Sequence, residues 1–121
     1  MKIKSYKDLN IWKRSIRLVE EIYIITKKFP KEEIYGLTSQ LRRSAVSIPS
    51  NIVEGFTRFH SKEYRQFLYI SLGSCAELNT QIIISFHLGY LNSEKVDRIL
   101  NEIDEISKII MGLIKKLNTN D

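Results

Sequence analysis

Two histidines, one cysteine and a scatter of carboxylates are the residues of this chain that could hold a metal or attack a substrate. In a helical protein the obvious chemistry is a di-iron centre. That centre needs Glu-x-x-His on two helices, so that both ligands project inward one turn apart. Here Thr57 stands three residues before His60, and Ile84 three before His87. Glu20, Glu54 and Glu77 supply too few inward carboxylates. His87 reads as a packed residue or a partner of a helix C-terminus, and His60 as a solvated turn residue. Cys75 falls on an apolar helical stripe, where a small buried thiol is the simpler reading. No phosphate-cradling glycine loop, nucleophile elbow or Cys/His zinc spacing is present. The expectation is a protein without catalytic residues, metal or cofactor.

The cations offer a different chemistry. Lys13, Arg14 and Arg17 cluster near the N-terminus, Arg42 and Arg43 in the middle, and Arg58, Lys62 and Arg65 around a turn. Clustered Lys and Arg bind phosphate without reading sequence, with an affinity that falls steeply with salt. The net charge is +5, and it is uneven: residues 1–65 carry +7 and residues 66–121 carry −2. Such asymmetry favours a polyanion partner, RNA or DNA, for the first half. A solvated basic surface is the alternative. No zinc finger or helix-turn-helix is present to read a groove, so contact would be to the backbone. For this role the sequence nominates Lys13, Arg14, Arg17, Arg42, Arg58, Lys62 and Arg65.

The elements that position these residues are helices. At 121 residues, with 43% apolar and 27% charged residues, the chain fits one soluble domain with its own core. The single cysteine excludes an internal disulfide and suits a reducing cytoplasm. No signal-peptide segment is evident, and the most apolar window, 81–91, is too short to span a bilayer. Strand-like alternation is absent. Heptad-like spacing predicts four helices, about 9–28, 31–57, 62–88 and 94–117. The first carries two adjacent seams: Leu9, Trp12, Ile16, Val19, Tyr23, Thr26, and Ile11, Leu18, Ile22, Ile25. The second has a core stripe of Ile34, Leu37, Leu41, Ala45, Ile48 and Ile52. The third, with Ser61 as N-cap, has Tyr64, Leu68, Ser71, Cys75, Leu78, Ile82 and Ser85, with apolar residues around most of its circumference. The fourth has Val96, Ile99, Ile103, Ile106, Ile110, Leu113 and Leu117. Short links at 29–30, 58–61 and 89–93 favour an antiparallel up-down-up-down four-helix bundle.

The second helix carries Pro49 in its middle. A restart there would leave Ile48 as a cap, and isoleucine caps poorly. The core stripe also keeps its phase across the proline, so one continuous, kinked helix is expected, at a cost of about 3 kcal/mol. At 100° per residue, Gln40, Arg43, Ser47, Ser50, Glu54 and Arg58 lie opposite the core stripe, with Val46 and Val53 between. Small residues, separated opposite charges and flanking valines suit a helix covered on more than one side. Arg43, Val46, Ser47, Ser50, Val53 and Glu54 are therefore the expected subunit contacts. With the wide apolar faces of the first and third helices, they imply a homo-oligomer. Arg42 and Arg43 have a rival use, pairing with a carboxylate such as Glu54 or Glu77 of another helix or subunit.

Three segments carry a family resemblance: YKDLNIWKRSIRL, FPKEEIYGLTSQLRRSAVSIPSNIVEG and SKEYRQFLYISLGSCAELNTQ. The chain resembles, over about residues 6–117, the bacterial four-helix-bundle proteins encoded in intervening sequences of 23S ribosomal RNA genes. More distantly it is similar to the accessory variability protein of diversity-generating retroelements. Tyr64 and Ser71 depart conservatively from the phenylalanine and alanine expected there. The resemblance implies an antiparallel bundle assembled into a ring, typically a pentamer, with no catalytic activity. By way of the retroelement relative it also implies nucleic acid and a reverse transcriptase as partners, met through a basic surface. A structural or protein–protein interaction module without nucleic-acid binding is the alternative, and no membrane partner is expected.

Overall fold

The computed structural model describes residues 5–118. Among them the chain is all-α, with four α-helices: α1 (Asn10–Thr26), α2 (Leu37–Phe56), α3 (Ser61–His87) and α4 (Ser93–Asn118). Each helix packs against its neighbours in sequence, and α4 closes back on α1. Short links force the antiparallel up-down-up-down order. The most extensive contact is between α2 and α3.

The core is one cluster of aliphatic side chains from all four helices, and it settles which apolar seams point inward. On α1 it is Ile11, Leu18, Ile22 and Ile25 that are buried. Of the other seam, Trp12, Ile16 and Val19 are half-buried and Tyr23 is exposed. On α2, Leu41, Ala45, Ile48 and Ile52 are fully buried. Ile34 is not part of this stripe: it is 51% exposed. The reason is local. The segment Lys31–Glu33 is a separate 3-10 turn, and Gly36 precedes α2 with φ −116° and ψ −114°, so the helical phase is interrupted before Leu37. On α4 the stripe ends at Ile114 rather than Leu113 and Leu117, which are half-buried. A straight helix drifts by about 20° per heptad, so a strict seven-residue seam rotates off the core.

Helix α2 runs unbroken through Pro49. Two carbonyls beside the proline receive extra donors: Ser71 Oγ–H donates to Ile48 O at 2.9 Å, and Asn51 Nδ2–H donates to Ser47 O at 2.8 Å. At the far end of α2, Gly55 packs tightly against α3. A Cβ there would lie 2.9 Å from Phe67 Cβ, 2.9 Å from Tyr64 Cδ1 and 3.1 Å from Tyr64 O.

The start of α2 is held by a carboxylate rather than by a cap residue. Glu33 Oε1 accepts from the Leu37 N–H at 3.1 Å, and Glu33 Oε2 accepts from Tyr90 O–H at 2.9 Å. One side chain thus satisfies a helix-start donor and ties α2 to the α3–α4 link. The same hydrogen bond to Glu33 holds the Tyr90 phenol above the usual tyrosine pKa. At α3 the capping position is His60, not Ser61, and no side chain caps it.

By length and composition alone α3 could cross a membrane. In the bundle one stripe of it, Leu68 to Ser85, is core.

Candidate functional site

Three surfaces stand out, and two of them gather residues that the sequence nominates. The first is a groove of about 450 Å³ between α1 and α2. Tyr6, Trp12, Ile16 and Val19 line one wall; Val46, Pro49, Ser50, Val53 and Glu54 line the other. Tyr6 and Trp12 meet edge to face at 5.5 Å. Trp12, Ile16 and Val19 of the α1 seam outside the core thus form one wall of this groove. A separate hollow that shares Val46 is lined by Tyr23, Ile34, Arg42 and Arg43. Ser47 does not join it. Its Oγ accepts from Ser74 at 2.8 Å and from Asn51 Nδ2 at 2.9 Å, so its hydroxyl serves the α2–α3 contact.

The second surface is the outer face of α3. Tyr69 is 56% exposed, and Ile70, Ile83, Ile84 and Phe86 are exposed as well. Tyr69, Gly73, Thr80 and Ile84 recur at helical spacing with exposed Glu77 among them, so one side of the helix presents apolar and small residues around a single carboxylate.

The third surface is basic, and it is smaller than the sequence implies. Arg14 donates to both carboxylate oxygens of Glu102, at 3.0 and 2.7 Å. That hydrogen bond raises the Arg14 pKa further above its ordinary value. Arg98 pairs with Glu21 at 2.7 Å. Exposed Arg17 lines a groove with Glu21, Arg98, Glu102 and Glu105. Of the α1 cations, Arg14 is thus answered by an acid of α4, while Arg98 of α4 is answered by Glu21 of α1. Arg42 is also engaged: its Nε–H donates to Thr26 Oγ1 at 2.9 Å, and its guanidinium lies 4.6 Å from the Tyr23 ring centre. Arg65 donates to Leu117 O at 3.3 Å, which brings the start of α3 beside the end of α4. Lys13, Arg43 and Lys62 are exposed and in no ion pair among the described residues.

The α2–α3 link holds a residue that helical periodicity cannot single out, because it lies between helices. Phe59 is 89% exposed, with φ +61°. The available signal was an aromatic residue set between Arg58 and Lys62 in a short connection.

Among the described residues no group of three His, Cys, Asp or Glu side chains could hold a metal ion. Cys75 is buried, and burial raises its thiol pKa, with a smaller opposing effect of a hydrogen bond to Ser107.

These features define a class: an antiparallel four-helix bundle whose prominent surfaces are apolar faces and a basic end, where Arg58, Lys62 and Arg65 surround the α2–α3 turn. The chain belongs to the 23S rRNA-intervening sequence protein family, whose model matches residues 7–112. It is also similar in structure to a Bacteroides thetaiotaomicron protein of unknown function from the S23 ribosomal protein family. The two share 22% identity with a TM-score of 0.78, over 87% of this chain and 98% of the other. At that identity the likeness speaks for the fold. No curated protein matches the chain.

Proposed function

We propose that this protein is a non-enzymatic module that assembles with copies of itself and binds nucleic acid at its basic end. One observation carries the assembly: two separate apolar surfaces, the α1–α2 groove and the outer face of α3, lie on different sides of one chain. A dimer with two-fold symmetry uses one patch twice, whereas a ring joins two different patches head to tail. The proposed contact seats the α3 face of one subunit in the α1–α2 groove of the next. Five copies is the number the family resemblance implies. In such a ring the basic ends repeat around the axis, so weak phosphate contacts add.

Light scattering tests the assembly. A particle several times the 14.2 kDa chain mass is expected, and Val53→Glu in the groove should dissociate it. A monomer at micromolar concentration would refute it. Nucleic-acid binding is tested by titrating RNA at several salt concentrations; a steep loss of affinity with salt is expected. A second reading, a structural or protein-interaction module with no nucleic-acid ligand, is favoured by the ion pairs that occupy Arg14 and Arg98. Co-purification of one stoichiometric protein, with no RNA or DNA, would support it.

A further inference from the structure

We propose that the α2–α3 turn recognises single-stranded nucleic acid, with the Phe59 ring stacking on an unpaired base while Arg58 and Lys62 hold flanking phosphates. This rests on the nucleic-acid reading above and adds to it the kind of strand and the residue that selects it.

Phe59 bears two costs. Its ring is 89% exposed, and its backbone is left-handed at φ +61°. Among the described residues it alone, glycine aside, has a positive φ. A bulky side chain disfavours that region, and a turn that needed only the geometry would be served by glycine or asparagine. Among the described residues the ring also takes part in none of the aromatic pairs, which join Tyr6 to Trp12, Phe29 to Tyr90, Phe56 to Tyr64 and Phe86 to His87. The conformation thus projects a large apolar plane into solvent from a turn.

The surroundings of that plane are basic. Arg58 precedes it, with only a loose 3.9 Å contact to Glu54 and its guanidinium 5.1 Å from the Phe67 ring centre. Lys62 follows, exposed and in no ion pair among the described residues. The Arg65–Leu117 hydrogen bond brings the C-terminal turn of α4, with exposed Lys115, to the same end. The one acid in the first turn of α3 is Glu63. An exposed aromatic plane among cations is what a single strand requires: every base has a π-face to stack, and the cations follow the backbone. A duplex hides those faces, and no helix is arranged here to read a groove.

Fluorescence anisotropy with a labelled ten-nucleotide RNA, single-stranded or annealed to its complement, separates the possibilities. The full-length protein should prefer the single strand. Phe59→Ala should weaken that binding by roughly tenfold or more, from the loss of one stacked base, and leave the salt slope unchanged. Phe59→Trp should keep the affinity. Arg58→Gln with Lys62→Gln should flatten the salt slope by about one to two, because each cation removed leaves one phosphate unneutralised. Unchanged affinity in Phe59→Ala overturns the stacking role while the broader nucleic-acid reading stands. No binding of either probe at low salt overturns both. Dissociation of the oligomer by Phe59→Ala, seen in light scattering, would make the ring a subunit contact and overturn the proposal.

Discussion

Gly55→Ala is expected to destabilise the bundle, although alanine is the better helix former. The new methyl would sit 2.9 Å from Phe67 Cβ and from Tyr64 Cδ1, and 3.1 Å from the Tyr64 carbonyl oxygen. The Tyr64 ring can swing aside, at the expense of its edge-to-face contact with Phe56 at 6.0 Å. Phe67 Cβ and the Tyr64 carbonyl cannot, because they belong to the frame of α3. Reaching ordinary contact means moving α3 outward by about half an ångström in the most extensive helix pair. Forcing an extra methyl into a packed contact costs roughly 1–3 kcal/mol. Alanine returns up to about 1 kcal/mol of helix propensity, and less in this last turn of α2. The net loss should be about 1–2 kcal/mol, which at a urea slope of about 2 kcal/mol per molar lowers the midpoint by about half to one molar. Gly112→Ala is the control, since a Cβ there meets nothing within 4 Å. It should gain up to about 1 kcal/mol. Urea unfolding followed by circular dichroism, at one fixed protein concentration, compares the two. A Gly55→Ala midpoint at or above wild type would refute the close-approach reasoning.

Phe59→Gly should raise stability, because it relieves a left-handed residue that costs about 1–2 kcal/mol, less the entropy glycine adds to the unfolded chain. A fall in melting temperature would show that the ring packs on something. A double-mutant cycle of Arg14→Gln and Glu102→Gln should give a coupling of about 1 kcal/mol that shrinks in high salt. Salt-independent coupling would contradict a pair whose side chains are 25% and 32% exposed. Burial pushes the Tyr64 phenol up to about 12 from the ordinary 10.0. The fold therefore favours the neutral form, so its contribution is whole below pH 10 and declines as pH rises from 10 to about 12. Tyrosinate absorbance rising in full near pH 10, with the bundle still folded, would refute the burial. Cys75 should resist alkylation at neutral pH in the native protein and react in denaturant; rapid native labelling would place it at the surface.

Much of the fold is a local property, and the sequence carries it openly. Helical periodicity is written residue by residue, so four helices, the inward stripe of α2 from Leu37 to Ile52, that of α3 from Leu68 to Ser85, and the passage of α2 through Pro49 can all be read from spacing. The family resemblance rests on the same segments. Tertiary structure decided what depends on the rotation of one helix against another. Of the two apolar seams on α1, packing buried Ile11, Leu18, Ile22 and Ile25 and left Trp12, Ile16 and Val19 as a groove wall. Spacing along one helix cannot rank two adjacent seams, because the choice belongs to the neighbouring helices. Arg14 found its carboxylate 88 residues away on α4, which turned a nominated phosphate ligand into an internal ion pair. Ser47 turned to Ser74 across the α2–α3 contact. Phe59 acquired its exposure and its left-handed backbone from the geometry of a turn that must join two helices already fixed by their own cores. The stripes follow from 3.6 residues per turn; the surfaces follow from where four such stripes leave each helix facing once they have met.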